Sequence, residues 1–227
     1  MLTGCGVVAL GLILSSVAGL APLASPTPSL ALLVAGAAAA GTVMGRGEQG
    51  SRVTVEGPTW LAWSGRGALG VGVLATGVTI VLALWLPVGA YDAIGYRLPA
   101  VAQWLDAGGF SWVTGDDPLR NGYPLGLELI EATLFAGFGS PRAVDAVASM
   151  FLIAGALALL GFGRRVALPS GAAELAAALF LLVPMHLLNA PSGYADAAFA
   201  GAMVCTLIAV ARLELGDNAW TDLGIAA

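Results

Sequence analysis

The sequence has no lysine, one histidine and two cysteines among 227 residues, and only 10% of it is charged. All nine basic residues are therefore arginine, set against fourteen acids for a net charge of -5. That acidity argues against a nucleic-acid partner. Cys5 and Cys205 each sit in an apolar run, so they read as small buried hydrophobes and imply no disulfide framework. One histidine, His186, cannot build a metal site without carboxylate help. A P-loop, paired-cysteine metal spacing and G-x-S-x-G are all absent. Gly65, Gly67 and Gly70 match G-x-G-x-x-G, but no strand precedes them and 32 residues are glycine. The match reflects composition or close helix packing.

What the chain does have is apolar length. Hydrophobic residues make up 58% of it, and its mean hydropathy is +0.88. A soluble domain carries roughly a quarter charged residues, so the solvent for most of this chain is not water. The fold class expected is all-α: a polytopic transmembrane helical protein with amphipathic juxtamembrane helices in a long outer loop. Spans are expected near residues 2–20, 30–44, 67–87, 144–163, 171–189 and 197–211. The first could instead be a signal peptide, since Ala21 to Ser25 resembles a small-residue cleavage region. A signal peptide wants a basic start, however, and the first arginine is Arg46. Three regions follow: residues 1–66 with two spans and a cytoplasmic loop, 67–215 as the main module, and 216–227 as the start of a further apolar segment of a longer protein.

Orientation follows from arginine, which accumulates in short cytoplasmic loops. The decision turns on residues 123–138, which carry Glu128 and Glu131 at their middle. Each acid at the bilayer centre costs about 2.5–3.5 kcal/mol on insertion scales, so this segment is expected to lie along the interface rather than to span. Arg46, Arg52, Arg66, Arg164, Arg165 and Arg212 then fall inside, and Arg97, Arg120 and Arg142 outside. The outer region, residues 88–142, is where function is expected.

Asp92 follows the third span closely, where a carboxylate can meet a substrate with its tail in lipid and its head at the interface. Pro99 can open a short helix, with Val101, Ala102 and Leu105 on one face and Gln103 and Asp106 on the other. Such a helix would lie on the membrane, with Trp104, Phe110 and Trp112 as an aromatic belt. Glu128 and Glu131 share a helical face, either turned to water or aimed toward Asp92. His186 and Asp196 flank a later outward turn; for Asp196 the simpler role is to favour a helix start through the dipole. The simpler reading of Asp92 is likewise a solvated loop acid.

The order Tyr91-Asp92, Tyr96-Arg97-Leu98-Pro99, Trp104, Gly108, then Tyr123-Pro124 with Glu128 resembles the first outer loop of GT-C membrane glycosyltransferases. The protein O-mannosyltransferase and aminoarabinose transferase-like branch is the nearest in kind, and the resemblance covers about residues 67–215. It implies a polyprenyl-phosphate-linked sugar donor, a lipid, glycan or protein acceptor, and a site on the outer face of the cell membrane. It maps the catalytic carboxylate onto Asp92. A second acid, which in the family helps bind the acceptor, the donor phosphate or a divalent cation, maps onto Asp196. Tyr96, Arg97, Arg120, Tyr123, Glu128 and His186 become candidate substrate contacts. Family members often have His where Arg97 stands, which removes proton transfer there but leaves a forked donor suited to phosphate. The competing class is a transporter, flippase or structural membrane subunit, or an inactive fragment of a glycosyltransferase.

Overall fold

A computed structural model describes residues 55–114, 126–138 and 142–214, and every regular element in them is helical. The spans expected at residues 2–20 and 30–44, the segment 216–227, Arg120 and Tyr123 lie outside the described residues. Helix α1 (Thr59–Trp85) leads into a π-helical turn (Ala93–Arg97) and α2 (Leu98–Asp106). Next come α3 (Gly126–Phe138), α4 (Arg142–Asp145) and α5 (Val147–Arg165). They are followed by α6 (Ala172–Leu181), α7 (Pro184–Asn189), a 3-10 turn (Ala190–Ser192) and α8 (Ala195–Glu214).

Among the described residues three helices, α1, α5 and α8, are long and apolar enough to cross a membrane, and α6 with α7 and its 3-10 turn forms a pair bent by 49°, either a broken span or a re-entrant loop. Helix α1 begins eight residues before the expected span. Trp60 and Trp63 are exposed near its start and Trp85 at its end. Trp63 and Trp85 are about 33 Å apart at 1.5 Å per residue, close to a hydrocarbon core with an aromatic residue at each border. Val71, Leu74, Val78 and Val81 line the outside of α1, exposed. The break between α6 and α7 falls at Pro184, which lacks an N–H to continue the ladder.

The long helices pack through small residues. A side chain at Gly65 would meet the backbone of Gly171, and Gly72 faces Ala178 and Leu181, so α1 and α6 run in the same direction. The short turn after α5 reverses the chain, and Gly163 faces Ala173. Gly201 of α8 lies so close to the carbonyl of Phe151 that a Cβ there would stand 2.2 Å from it. Helix α8 therefore runs parallel to α5. The layer reads α1, α6, α5, α8, around a core of Ala148, Leu152, Ala156, Ala177, Leu181, Ala197 and Ala198. Arg66, Arg164 and Arg165 collect at one end of this layer, and Asp92, Arg97, Glu128 and Asp196 at the other.

At 13 residues, α3 is only about 20 Å long. It does not span. Its partner α2 departs from the expected surface helix: Ala100, Val101 and Trp104 are buried against Leu129 and Ala132 of α3. Trp104 does not belong to an aromatic belt. It is fully buried, stacks at a tilt on Phe110 and donates its indole N–H to the Ser111 carbonyl at 2.8 Å. Trp112, by contrast, is exposed. The apolar face of α2 thus covers a neighbouring helix, because α3 offers a complementary stripe.

Candidate functional site

Pro99 shapes the entry to the site. In a continuous α-helix its ring would press on the carbonyl four residues back; here the preceding turn widens, and the Leu98 N–H reaches the Ala93 carbonyl instead. Such π-turns often accompany functional sites. This one directs Arg97 inward, where it is 3% exposed. Asp92 immediately precedes the turn.

Arg97 is the hub of a buried polar cluster. Its Nε donates to Glu128 Oε1 at 2.8 Å, one Nη to Glu131 Oε1, and the other to the backbone carbonyl of Gly193. Glu128 and Glu131 sit on one face of α3, as their spacing predicts, and that face points at neither water nor Asp92. Asp145, 2% exposed, completes the cluster from α4. Its Oδ1 lies against Gly193, whose φ of +73° and lack of a side chain let the turn approach. Among the described residues, four buried side-chain atoms lack a hydrogen-bond partner: Glu128 Oε2, Glu131 Oε2, Asp145 Oδ1 and Ser149 Oγ.

One guanidinium facing three carboxylates leaves an excess of two negative charges if all are ionised. Neutralising one Glu at pH 7 costs about 3 kcal/mol at 1.36 kcal/mol per unit. Leaving an unpaired carboxylate in a dry interior costs several kcal/mol even after relaxation. Protonation wins. Burial pushes the Glu131 carboxyl up to about 8; Arg97 opposes the rise, and Glu128 and Asp145 add to it. Burial also lifts Asp145 to about 6, against the pull of Arg97.

The remaining candidates fall into three settings. Asp92 is half-buried and has no side-chain hydrogen bond to another described residue. On the same segment and on α3, Pro87, Val88, Ile94, Leu98, Pro99, Ala102 and Phe135 line an open apolar groove of about 560 Å³. Tyr96 is half-buried beside Arg97. Asp196 is exposed and accepts from Asn189 Nδ2 at 3.2 Å. His186 is held at the α6–α7 bend, its Nδ1 2.8 Å from the Phe180 carbonyl and its ring edge-on to Phe180. Among the described residues no three His, Cys, Asp or Glu side chains form a group that could hold a metal ion.

The structure thus brings Arg97 and Glu128 together as partners of each other, and joins the Asp92 side to the Asp196 side through Arg97 and Gly193. Sequence reading did not single out Asp145, Ser149 or Gly193. A signal existed for Asp145: it lies at the second position of the span expected at residues 144–163, where an acid requires a partner. The helix itself excludes it, since α5 starts at Val147. Compared with protein-family models, curated proteins and solved structures, the chain matches none of them.

Proposed function

We propose that the chain is a multi-pass cell-membrane protein that transfers a sugar from a polyprenyl-phosphate donor to an acceptor hydroxyl at the outer face. The observation that carries this reading is the contrast between Asp92 and its neighbours. Glu128 and Glu131 are occupied by Arg97, whereas Asp92 keeps its carboxylate uncommitted on the segment whose Val88, Ile94 and Leu98 line an apolar groove. That pairing suits a substrate with a greasy chain and a polar reacting head. Asp92 acts as general base: it accepts the proton of the acceptor hydroxyl while the oxygen attacks the anomeric carbon opposite the departing phosphate, which inverts the sugar centre. Since Arg97 is already engaged, charge on the leaving phosphate falls to Arg120. The arginine-bearing end at Arg66, Arg164 and Arg165 faces the cytoplasm.

Transfer from a labelled polyprenyl-phosphate sugar in membranes containing the chain tests the reading. Asp92→Asn should lower the rate by about 10²–10⁴-fold, the usual worth of a general base. Undiminished transfer by that variant removes Asp92 from the chemistry.

A transporter is the second reading, favoured by the 49° bend between α6 and α7 beside a buried ionic cluster. Solute flux into vesicles that depends on the chain and that Asp92→Asn leaves intact would select it.

A further inference from the structure

We propose that the cluster beneath Arg97 is a proton-binding site, that Glu131 carries the proton, and that this proton fastens the loop bearing Asp92 to the turn before α8. The inference is independent of the sugar-transfer reading. It rests on the donor count. Arg97 supplies N–H groups to one oxygen of Glu128, one of Glu131 and the Gly193 carbonyl. What remains unpaired is three buried carboxyl oxygens and the Ser149 hydroxyl: neither the two further N–H groups of Arg97 nor the serine O–H makes a hydrogen bond to any of those oxygens. A proton on Glu131 Oε2 turns one acceptor into a donor and removes one excess charge.

Glu131 is the most deeply buried of the three acids, 1% exposed against 2% for Asp145 and 4% for Glu128. The groups facing it are Arg97 from the π-turn, Glu128 one turn back on α3, and Asp145 from α4. The buried residues of α2 are Ala100, Val101 and Trp104, none of them titratable. With the proton bound, Arg97 ties three elements together and Ala93 packs on Gly193. Without it, three like charges face one cation and the turns separate.

The test uses the full chain in lipid nanodiscs, with Cys5→Ala and Cys205→Ala for labelling. Infrared spectroscopy should detect a protonated-carboxyl band at neutral pH that shifts in D2O, fades on alkaline titration and disappears in Glu131→Gln. Maleimide labelling of buried Ala93→Cys, divided by that of exposed Ile94→Cys to cancel the thiol's own titration, should rise several-fold with pH. The ratio should stay flat when Glu131→Gln is added. Absence of the band in the unmodified chain overturns the proposal, and that result needs no variant. So does a band that survives Glu131→Gln and is lost in Asp145→Asn, or a labelling ratio that does not change with pH in the unmodified chain.

Discussion

Arg97 and Gly193 stand 96 residues apart in the chain, yet the guanidinium of one donates to the backbone carbonyl of the other. This bond closes the end of the helical layer on which Asp92 and Asp196 lie. It also explains why the arginine is buried: a single forked donor can satisfy acceptors from α3 and from the turn before α8 at once.

Removing that fork should be costly. Arg97→Ala leaves Glu128 and Glu131 buried beside each other without a counter-charge, and the expected loss is about 3–5 kcal/mol in detergent unfolding. Arg97→Lys should recover only part, because one ammonium cannot reproduce the planar geometry. Replacing the whole set together, Arg97→Met with Glu128→Leu and Glu131→Leu, should regain most of the loss. A harmless Arg97→Ala would mean that the cluster contributes little to the fold.

Stability should fall as pH rises from about 4.5 to about 8. In that window the folded chain holds a proton on Glu131 that the unfolded chain has released, so raising the pH favours unfolding. Below the window the contribution is fully present, and above it the contribution is gone. Asp145 adds the same slope between 3.8 and about 6. The whole effect amounts to a few kcal/mol at most, read as Tm against pH, and Glu131→Gln should flatten the upper part. A Tm that climbs from pH 5 to pH 8 contradicts the assignment.

Two glycines with similar backbone angles should respond differently to alanine. Gly108 has φ +70° and open space around it, whereas a Cβ on Gly193 would lie 2.6 Å from Asp145 Oδ1 and 3.1 Å from Ala93 Cβ. Gly108→Ala should cost only the left-handed strain, about 1–2 kcal/mol. Gly193→Ala should cost about 1–3 kcal/mol more, through overpacking. Equal losses in unfolding titrations would deny the close approach of the turn to Asp145.

Labelling in sealed vesicles checks which residues share a side. Cysteines placed at Tyr91 and Leu188, both exposed, should react with an impermeant maleimide from the same side. One at Leu168, in the connection between α5 and α6, should react from the other. Labelling of 91 and 188 from opposite sides would break the proposed topology.

Much of the helix layout was legible in the sequence, because apolar length is a local property. The run at residues 197–211 falls within α8 and the run at 67–87 overlaps α1 as far as Trp85, while α3 is not among the described helices long and apolar enough to cross a membrane. The spacing of Glu128 and Glu131 gave their common face, but not its direction. Aromatic residues misled for the same reason: Trp104 and Trp112 look alike in a loop, and only packing against Leu129 buries one and leaves the other exposed.

Composition and hydropathy by themselves determined that the described residues form helices and that three of these are long and apolar enough to cross a membrane, since both follow from which residues stand within a few positions of one another. Tertiary structure alone decided which charges are paired. The partners of Arg97 lie 31, 34 and 96 residues away, and a buried charge takes its meaning from whatever long-range folding brings within hydrogen-bond reach.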